Sequence, residues 1–101
     1  MTYIHFIVNP ISGKGKHSIT KQFLESYFPK TDYRVEIDYS NYKKHAIELT
    51  EKAISQQPDI IVACGGDGTI SEIASQLVNT SIKLGIIPVG SGNGLASNLD
   101  I

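Results

Sequence analysis

The sequence predicts an α/β domain whose sheet is doubly wound and mainly parallel, with helices on both faces and the strand order 2-1-3-4. Short apolar segments alternate with longer amphipathic ones along all 101 residues, which is typical of a parallel sheet covered by helices. Glycine-rich loops follow the first, third and fourth apolar segments. In a parallel sheet these loops share the carboxyl edge, where ligands bind. The three loops are adjacent if the first, third and fourth strands are neighbours in the sheet. We therefore favour the strand order 2-1-3-4.

The predicted strands differ in how apolar their two faces are. Residues 3–9, YIHFIVN, are mostly apolar on both faces, as a strand covered on both sides requires. Residues 33–39, YRVEIDY, alternate apolar and charged side chains, which indicates one wet face and a place near the edge of the sheet. Residues 59–64, DIIVAC, and 83–87, KLGII, complete the set. Proline directly follows the first and the last of these segments and stops both.

Two helices are predicted between the first three strands. Residues 18–28 place apolar side chains at helical spacing, and a proline follows them. Ser40 or Asn41 can cap a second helix, because short oxygen-bearing side chains accept from the free amides of a first turn. That helix is predicted to run to about residue 56.

The third helix is predicted over residues 69–78, TISEIASQLV, whose apolar side chains form one stripe. Thr69 and Glu72 have the spacing of a capping box, which favours a structural role for Glu72. A fourth helix is predicted to begin within residues 95–99.

Composition and charge restrict the classes of function. A chain of this length fits one domain, residues 1–101, and its net charge of −1 gives no general affinity for nucleic acid. The lone cysteine, Cys64, cannot form an internal disulfide and is predicted to be a small buried apolar group. We see no signal peptide and no apolar stretch long enough to span a bilayer, so a cytoplasmic location is expected.

The three glycine-rich loops are NPISGKG (9–15), GGDG (65–68) and PVGSGNG (88–94). Glycine lets backbone amides approach a ligand closely, and each loop opens onto a predicted helix N-terminus with its partial positive charge. The expected ligand is therefore a polyphosphate. Neither a Walker A loop nor the dinucleotide fingerprint G-x-G-x-x-G is present, which indicates a phosphate site of another kind.

These three motifs, in this order, resemble those of the diacylglycerol kinase catalytic domain and its relatives, the sphingosine, ceramide and bacterial lipid kinases. The resemblance covers nearly the whole chain and is consistent with a three-layer, Rossmann-like or flavodoxin-like arrangement. The wider superfamily includes the NAD kinases, and GGDGT alone does not separate the two branches. The NPxSG start and the PxGSGNxLA ending favour the lipid kinases.

The resemblance implies a set of nucleotide-binding residues in the three loops. Those lying along the nucleotide would be Asn9, Ser12, Gly13 and Gly15. Those holding the ATP phosphates would be Gly65, Gly66, Gly68 and Thr69. Those closing the site from the third loop would be Ser91, Gly92 and Asn93.

Asp67 places a carboxylate inside a loop suited to anions, which requires an explanation. One carboxylate acting through water is enough to help hold Mg²⁺ between itself and phosphates. The carboxylate could also act as general base toward an acceptor hydroxyl. The structural alternative is that Asp67 caps the following helix. The resemblance favours the catalytic or metal-binding role.

Two departures from the family pattern bear on function. Many diacylglycerol kinases have Asn-Asp in the third motif, whereas this chain has Asn93-Gly94, which removes a carboxylate and is closer to the sphingosine kinase form. The family also has a second, mostly β domain, which carries much of the lipid site. Residues 1–101 are therefore expected to be the N-terminal, nucleotide-binding half of a lipid kinase and to be inactive alone.

The expected activity of the whole protein is phosphorylation of a lipid hydroxyl, of diacylglycerol or sphingoid type, by ATP with Mg²⁺. Its partners would be nucleotide, lipid and, transiently, a membrane surface; the sequence leaves a homodimer open. An NAD kinase-like enzyme and a non-catalytic nucleotide-binding module are the alternatives.

Overall fold

Strands and helices alternate along the chain, as the sequence predicts. The computed structural model describes residues 1–10, 19–42 and 44–88. In chain order its elements are β1 (Thr2–Val8), α1 (Lys21–Glu25), β2 (Tyr33–Tyr39), α2 (His45–Ser55), β3 (Ile60–Gly65), α3 (Asp67–Leu77) and β4 (Lys83–Pro88). The helix start predicted at residues 95–99 lies outside the described residues.

The four strands form one sheet in the order β2-β1-β3-β4, which confirms the predicted order. All three pairings are parallel. In the register of the central strand, Ile4 lies opposite Val35 of β2 and Ile60 of β3. Because the strands run in one direction, the loops that leave their carboxyl ends emerge from the same edge. The prediction that β2 lies at an edge of the sheet is confirmed.

Each face of the sheet carries its own apolar core, and β1 contributes to both. The buried side chains on the α1 face are Ile4, Phe6, Val8, Ile19, Leu24, Val35, Val62, Cys64 and Ile87. Those on the face covered by α2 and α3 are Ile7, Ala46, Ala53, Ile61, Ala63, Ile73 and Leu77. Alternate residues of a strand point to opposite faces, so coverage on both sides explains why β1 and β3 carry mostly apolar side chains on both faces.

The first helix is shorter than the predicted range, 18–28. It begins after Thr20, whose Oγ1 accepts from the Phe23 amide at 3.0 Å, and it ends at Glu25. The chain then turns, with the Phe28 amide donating to the Leu24 carbonyl at 2.9 Å. This turn brings the ring of Phe28 to 6.0 Å from that of Phe6, between ring centroids. Packing onto the sheet therefore ends the helix before its apolar pattern does.

The predicted cap of the second helix is wrong. The cap position is Lys44, in the left-handed conformation with φ of 69° and no side-chain cap bond. Ser40 lies too early, because its amide continues the sheet ladder and donates to the Val8 carbonyl at 2.8 Å. The amide of Asn41 donates to Nδ1 of His45 at 2.9 Å, so His45 reaches back to the loop that precedes its own helix.

A chain of polar side chains centred on the buried His5 ties β1 to β2 and to Gln56, the residue that caps the end of α2. His5, 3% exposed, shares one hydrogen bond with the Tyr3 hydroxyl through Nδ1 and another with Oδ2 of Asp38 through Nε2, both 2.7 Å long. The hydrogen of the Tyr3 hydroxyl is donated to Oε1 of Gln56 at 2.8 Å. Both ring nitrogens of the buried imidazole therefore have partners, which buried polar groups require.

Cys64 is fully buried at the carboxyl end of β3, as predicted. Burial raises the pKa of its thiol from 9.0 to about 12, because the charged thiolate loses its hydration. The folded chain therefore keeps the proton over a pH range in which the unfolded chain loses it.

This difference predicts how stability depends on pH. From pH 9 to about 12 the unfolded state binds fewer protons, so the thiol lowers the free energy of unfolding by about 1.4 kcal/mol per pH unit. Below pH 9 the thiol has no such effect. Urea unfolding of the wild type and of Cys64→Ala between pH 8 and 11 isolates this contribution from that of other groups. Stability curves that stay parallel over this range would contradict it.

Candidate functional site

The candidate site lies at the carboxyl edge of the sheet, where β3 passes into α3. Gly66 is the N-cap of α3, with extended backbone angles of φ −83° and ψ −177°. The first helical hydrogen bond runs from the Ile70 amide to the Gly66 carbonyl at 3.0 Å. The amides that precede Ile70 in the first turn have no carbonyl within the helix to bind. They point outward with the partial positive charge of the helix terminus, which suits an anion.

Gly65 is the point where the starts of the three predicted loops meet. On one side, the Asn9 amide donates to the Cys64 carbonyl at 2.8 Å, so the first loop leaves β1 beside the end of β3. On the other side, Pro88 lies opposite Gly65 in the register of β3 and β4. The structure thus brings together Asn9, the GGDG turn and the start of the third loop, as the parallel sheet predicts.

The first two loops are joined by a side-chain hydrogen bond. Nδ2 of Asn9 donates to Oγ1 of Thr69 at 3.0 Å, between residues 60 positions apart. A Cβ atom at Gly65 would lie 3.0 Å from Cβ of Thr69 and 3.2 Å from Cβ of Asn9. Real Cβ contacts are rarely so short, so the pair meets over Gly65 because that residue has no side chain.

Asp67 is the first residue of α3, and its side chain is exposed. Gly66 occupies the N-cap position, so the interpretation of Asp67 as the helix cap is wrong. A carboxylate in the first turn still stabilises a helix through its dipole. Its exposure at the carboxyl edge also leaves Asp67 accessible to a ligand that binds the first-turn amides.

The predicted capping box of Thr69 and Glu72 is also wrong. Helix α3 begins at Asp67, two residues before Thr69, so Thr69 lies inside its first turn. The Thr69 hydroxyl accepts instead from Asn9. The capping-box pattern is local, whereas the actual partner comes from the far end of β1.

Several predicted site residues fall outside the part of the chain that the structure describes. They are Ser12, Gly13 and Gly15 of the first loop and Ser91, Gly92 and Asn93 of the third. The described members of the predicted site are Asn9, Gly65, Gly66, Asp67, Gly68 and Thr69. Among residues 1–10, 19–42 and 44–88 there is no cluster of three or more His, Cys, Asp or Glu side chains able to hold a metal.

The pairing of Asn9 with Thr69 is the feature that sequence reasoning missed. Both residues were predicted to be in the site, but as separate contacts to the nucleotide. A hydrogen bond across 60 positions leaves no local signal in the sequence. Strand order places the two loops side by side, and only the register of β1 on β3 brings these two side chains together.

The fold and the site define a parallel α/β protein in which the N-terminus of α3 lies at the glycine-rich carboxyl edge of the sheet. The chain belongs to the diacylglycerol kinase catalytic domain family, which matches residues 3–101.

Known relatives and solved structures agree with this membership. The chain is 33% identical to a diacylglycerol kinase of Bacillus subtilis, over all of this chain and 34% of that protein. It is 33% identical to sphingosine kinase 1 of Arabidopsis thaliana, over 91% of this chain and 21% of that protein. A crystal structure of a diacylglycerol kinase from Bacillus anthracis matches 90% of this chain and 34% of its own, with a TM-score of 0.66 and 27% identity. The chain thus spans about a fifth to a third of the length of these relatives.

No helix within the described residues has the length and apolar character needed to cross a membrane.

The contact at Gly65 predicts unequal effects of alanine at two glycines of the GGDG turn. Gly65→Ala should destabilise the chain by about 1–3 kcal/mol, because its methyl group would overlap Thr69 and Asn9. Gly68→Ala is the matched control: its Cβ would have no neighbour within 4 Å, and alanine favours a helix, so stability should hold or rise by less than about 1 kcal/mol. Urea unfolding midpoints measure both. Equal losses in the two variants would contradict the packing argument.

Proposed function

We propose that the protein carrying residues 1–101 transfers phosphate from ATP to a lipid hydroxyl, of diacylglycerol or sphingoid type. In this proposal, residues 1–101 are its nucleotide-binding N-terminal domain, and a second, β-rich domain supplies most of the lipid site. The observation that carries the proposal is the convergence of three loop starts on Gly65, beside the open amides of α3. Membership of a lipid kinase family supports the choice of reaction.

The phosphate-binding part of the proposal rests on the first turn of α3. Gly65, Gly66 and Gly68 place no side chains at this edge, and the amides of residues 67–69, which precede Ile70, have no carbonyl partner within the helix. Polyphosphate oxygens can accept from these amides, and the helix dipole favours their negative charge. The proposed contacts outside the described residues are Ser12, Gly13, Gly15, Ser91, Gly92 and Asn93.

Asp67 fits the needs of Mg²⁺ bound together with ATP. Magnesium keeps several waters and is usually held by one or two carboxylates plus substrate phosphates, so one exposed carboxylate beside the phosphate site is a suitable donor. Asp67 would hold it through water. Bound there, Mg²⁺ would offset charge on the transferred phosphoryl group. The carboxylate of Asp67 can alternatively accept the proton of the lipid hydroxyl as general base.

Contact with a membrane surface follows for the whole protein from the proposed lipid substrate. We propose a cytoplasmic location with transient contact of this kind. Residues 1–101 alone are expected to bind nucleotide weakly and to transfer little or no phosphate, because the lipid site is assigned to the second domain.

A titration tests the nucleotide site. Isotope-labelled chain is titrated with Mg·ATP, and the backbone amide shifts are followed. Saturable shifts confined to residues 9–15, 65–69 and 90–94 are expected. Gly66→Asp should abolish them, because a side chain and a negative charge would fill the space between the amides and the phosphates. If the isolated chain shows no shifts, the titration is repeated on the full-length protein, and their absence there at millimolar ATP would refute the site.

Replacing Asp67 separates catalysis from binding. Asp67→Asn in the full-length protein should lower phosphoryl transfer to lipid by roughly a hundredfold or more, the usual scale for a positioned acid–base group. ATP should still bind, since the amides of α3 remain. Asp32→Asn is the matched control. It makes the same charge change just before β2, at the amino ends of the strands and thus away from the candidate site. Full lipid phosphorylation by Asp67→Asn would exclude a catalytic role for Asp67. Phosphorylation of NAD in place of lipid by the full-length wild type would favour an NAD kinase.

A further inference from the structure

We infer that Asn9 is a positioning residue that acts on the nucleotide through Thr69, rather than by lying along the nucleotide itself. This inference rests on the proposed function, and it specifies how one residue of the first loop serves the phosphate site. It depends on the described hydrogen bond between the two side chains and on their packing over Gly65.

The direction of the hydrogen bond determines what the Thr69 hydroxyl can do. Oγ1 of Thr69 accepts from Nδ2 of Asn9 at 3.0 Å. A hydroxyl has one hydrogen to donate and two lone pairs to accept with. With one lone pair turned to Asn9, its hydrogen points away from that amide and is available to another acceptor. Asn9 thereby makes the Thr69 hydroxyl a donor, which is the role that a phosphate oxygen needs.

The surroundings of the pair keep this arrangement in place. Thr69 is 9% exposed, and its backbone belongs to the first turn of α3. Asn9 is held from the other side, because its amide donates to the Cys64 carbonyl at 2.8 Å. The absence of a side chain at Gly65 lets the two Cβ atoms pack over its backbone. Asn9 is therefore anchored to β3 through its backbone while its side chain orients a group of α3.

A double-mutant cycle distinguishes action through Thr69 from direct contact. In the full-length protein, the affinity for Mg·ATP is measured for the wild type, Asn9→Ala, Thr69→Val and the double variant. Each single change should weaken binding roughly tenfold, the scale of one hydrogen bond to a charged group. If Asn9 acts only through Thr69, the double variant should also lose roughly tenfold. Two independent contacts would instead lose roughly a hundredfold, and that result would overturn the inference.

Two further measurements separate positioning from a loss of folding. In a Thr69→Ser background, which keeps the hydroxyl, Asn9→Ala should again weaken binding roughly tenfold. In steady-state kinetics, Asn9→Ala should raise KM for ATP while KM for the lipid stays unchanged, whereas a general loss of structure would affect both. An unchanged KM for ATP in Asn9→Ala would also overturn the inference.

The same measurements distinguish failure of this inference from failure of the proposed function. If the wild type itself binds no Mg·ATP, the proposed function fails. If the wild type binds Mg·ATP but the effects in the cycle are additive, only the role of Asn9 fails.

Discussion

The close approach of three chain segments at Gly65 is the constraint on which the candidate site depends. Asn9 at the end of β1 and Thr69 in α3 meet over this residue, and Pro88 of β4 lies beside it. A side chain at position 65 would separate the first two segments by its own volume, because protein interiors have little free space to absorb it. The absence of a side chain at Gly65 therefore lets the two loops approach closely enough for the hydrogen bond between Asn9 and Thr69 to form.

The position of Asn9 depends in turn on how β1 is held in the sheet. β1 is covered on both faces, pairs with a strand on each side and carries the buried His5 between Tyr3 and Asp38. Shifting this strand by one residue would exchange its two faces and take the imidazole away from Asp38 of β2, its partner at Nε2. Apolar packing supplies most of the stabilisation, while the polar chain from Gln56 to Asp38 favours a single register. That register brings Asn9 to Thr69.

Strands were predicted more accurately than helix starts, for a physical reason. Strands are marked by apolar segments and by proline, and the predicted limits agree with β1 to β4 to within one residue. Helix starts depend on which group reaches the free amides, and several candidates lie close together in the sequence. The Ser40 amide bonds to β1 in the sheet ladder, and the Thr69 hydroxyl accepts from Asn9, so neither residue caps a helix. In both cases a tertiary contact displaced the local one that the sequence favours.

The sequence by itself determined the alternation of strands and helices, the strand order, the shared edge of the glycine-rich loops and the family that those loops identify. Periodicity and composition are properties of short segments, and the order of the motifs can be read directly along the chain. The tertiary structure alone decided that Gly66 rather than Asp67 caps α3, that Asp67 is exposed in its first turn, and that Asn9 donates to Thr69. The last of these joins side chains 60 positions apart, and its formation depends on register and packing that no local pattern encodes.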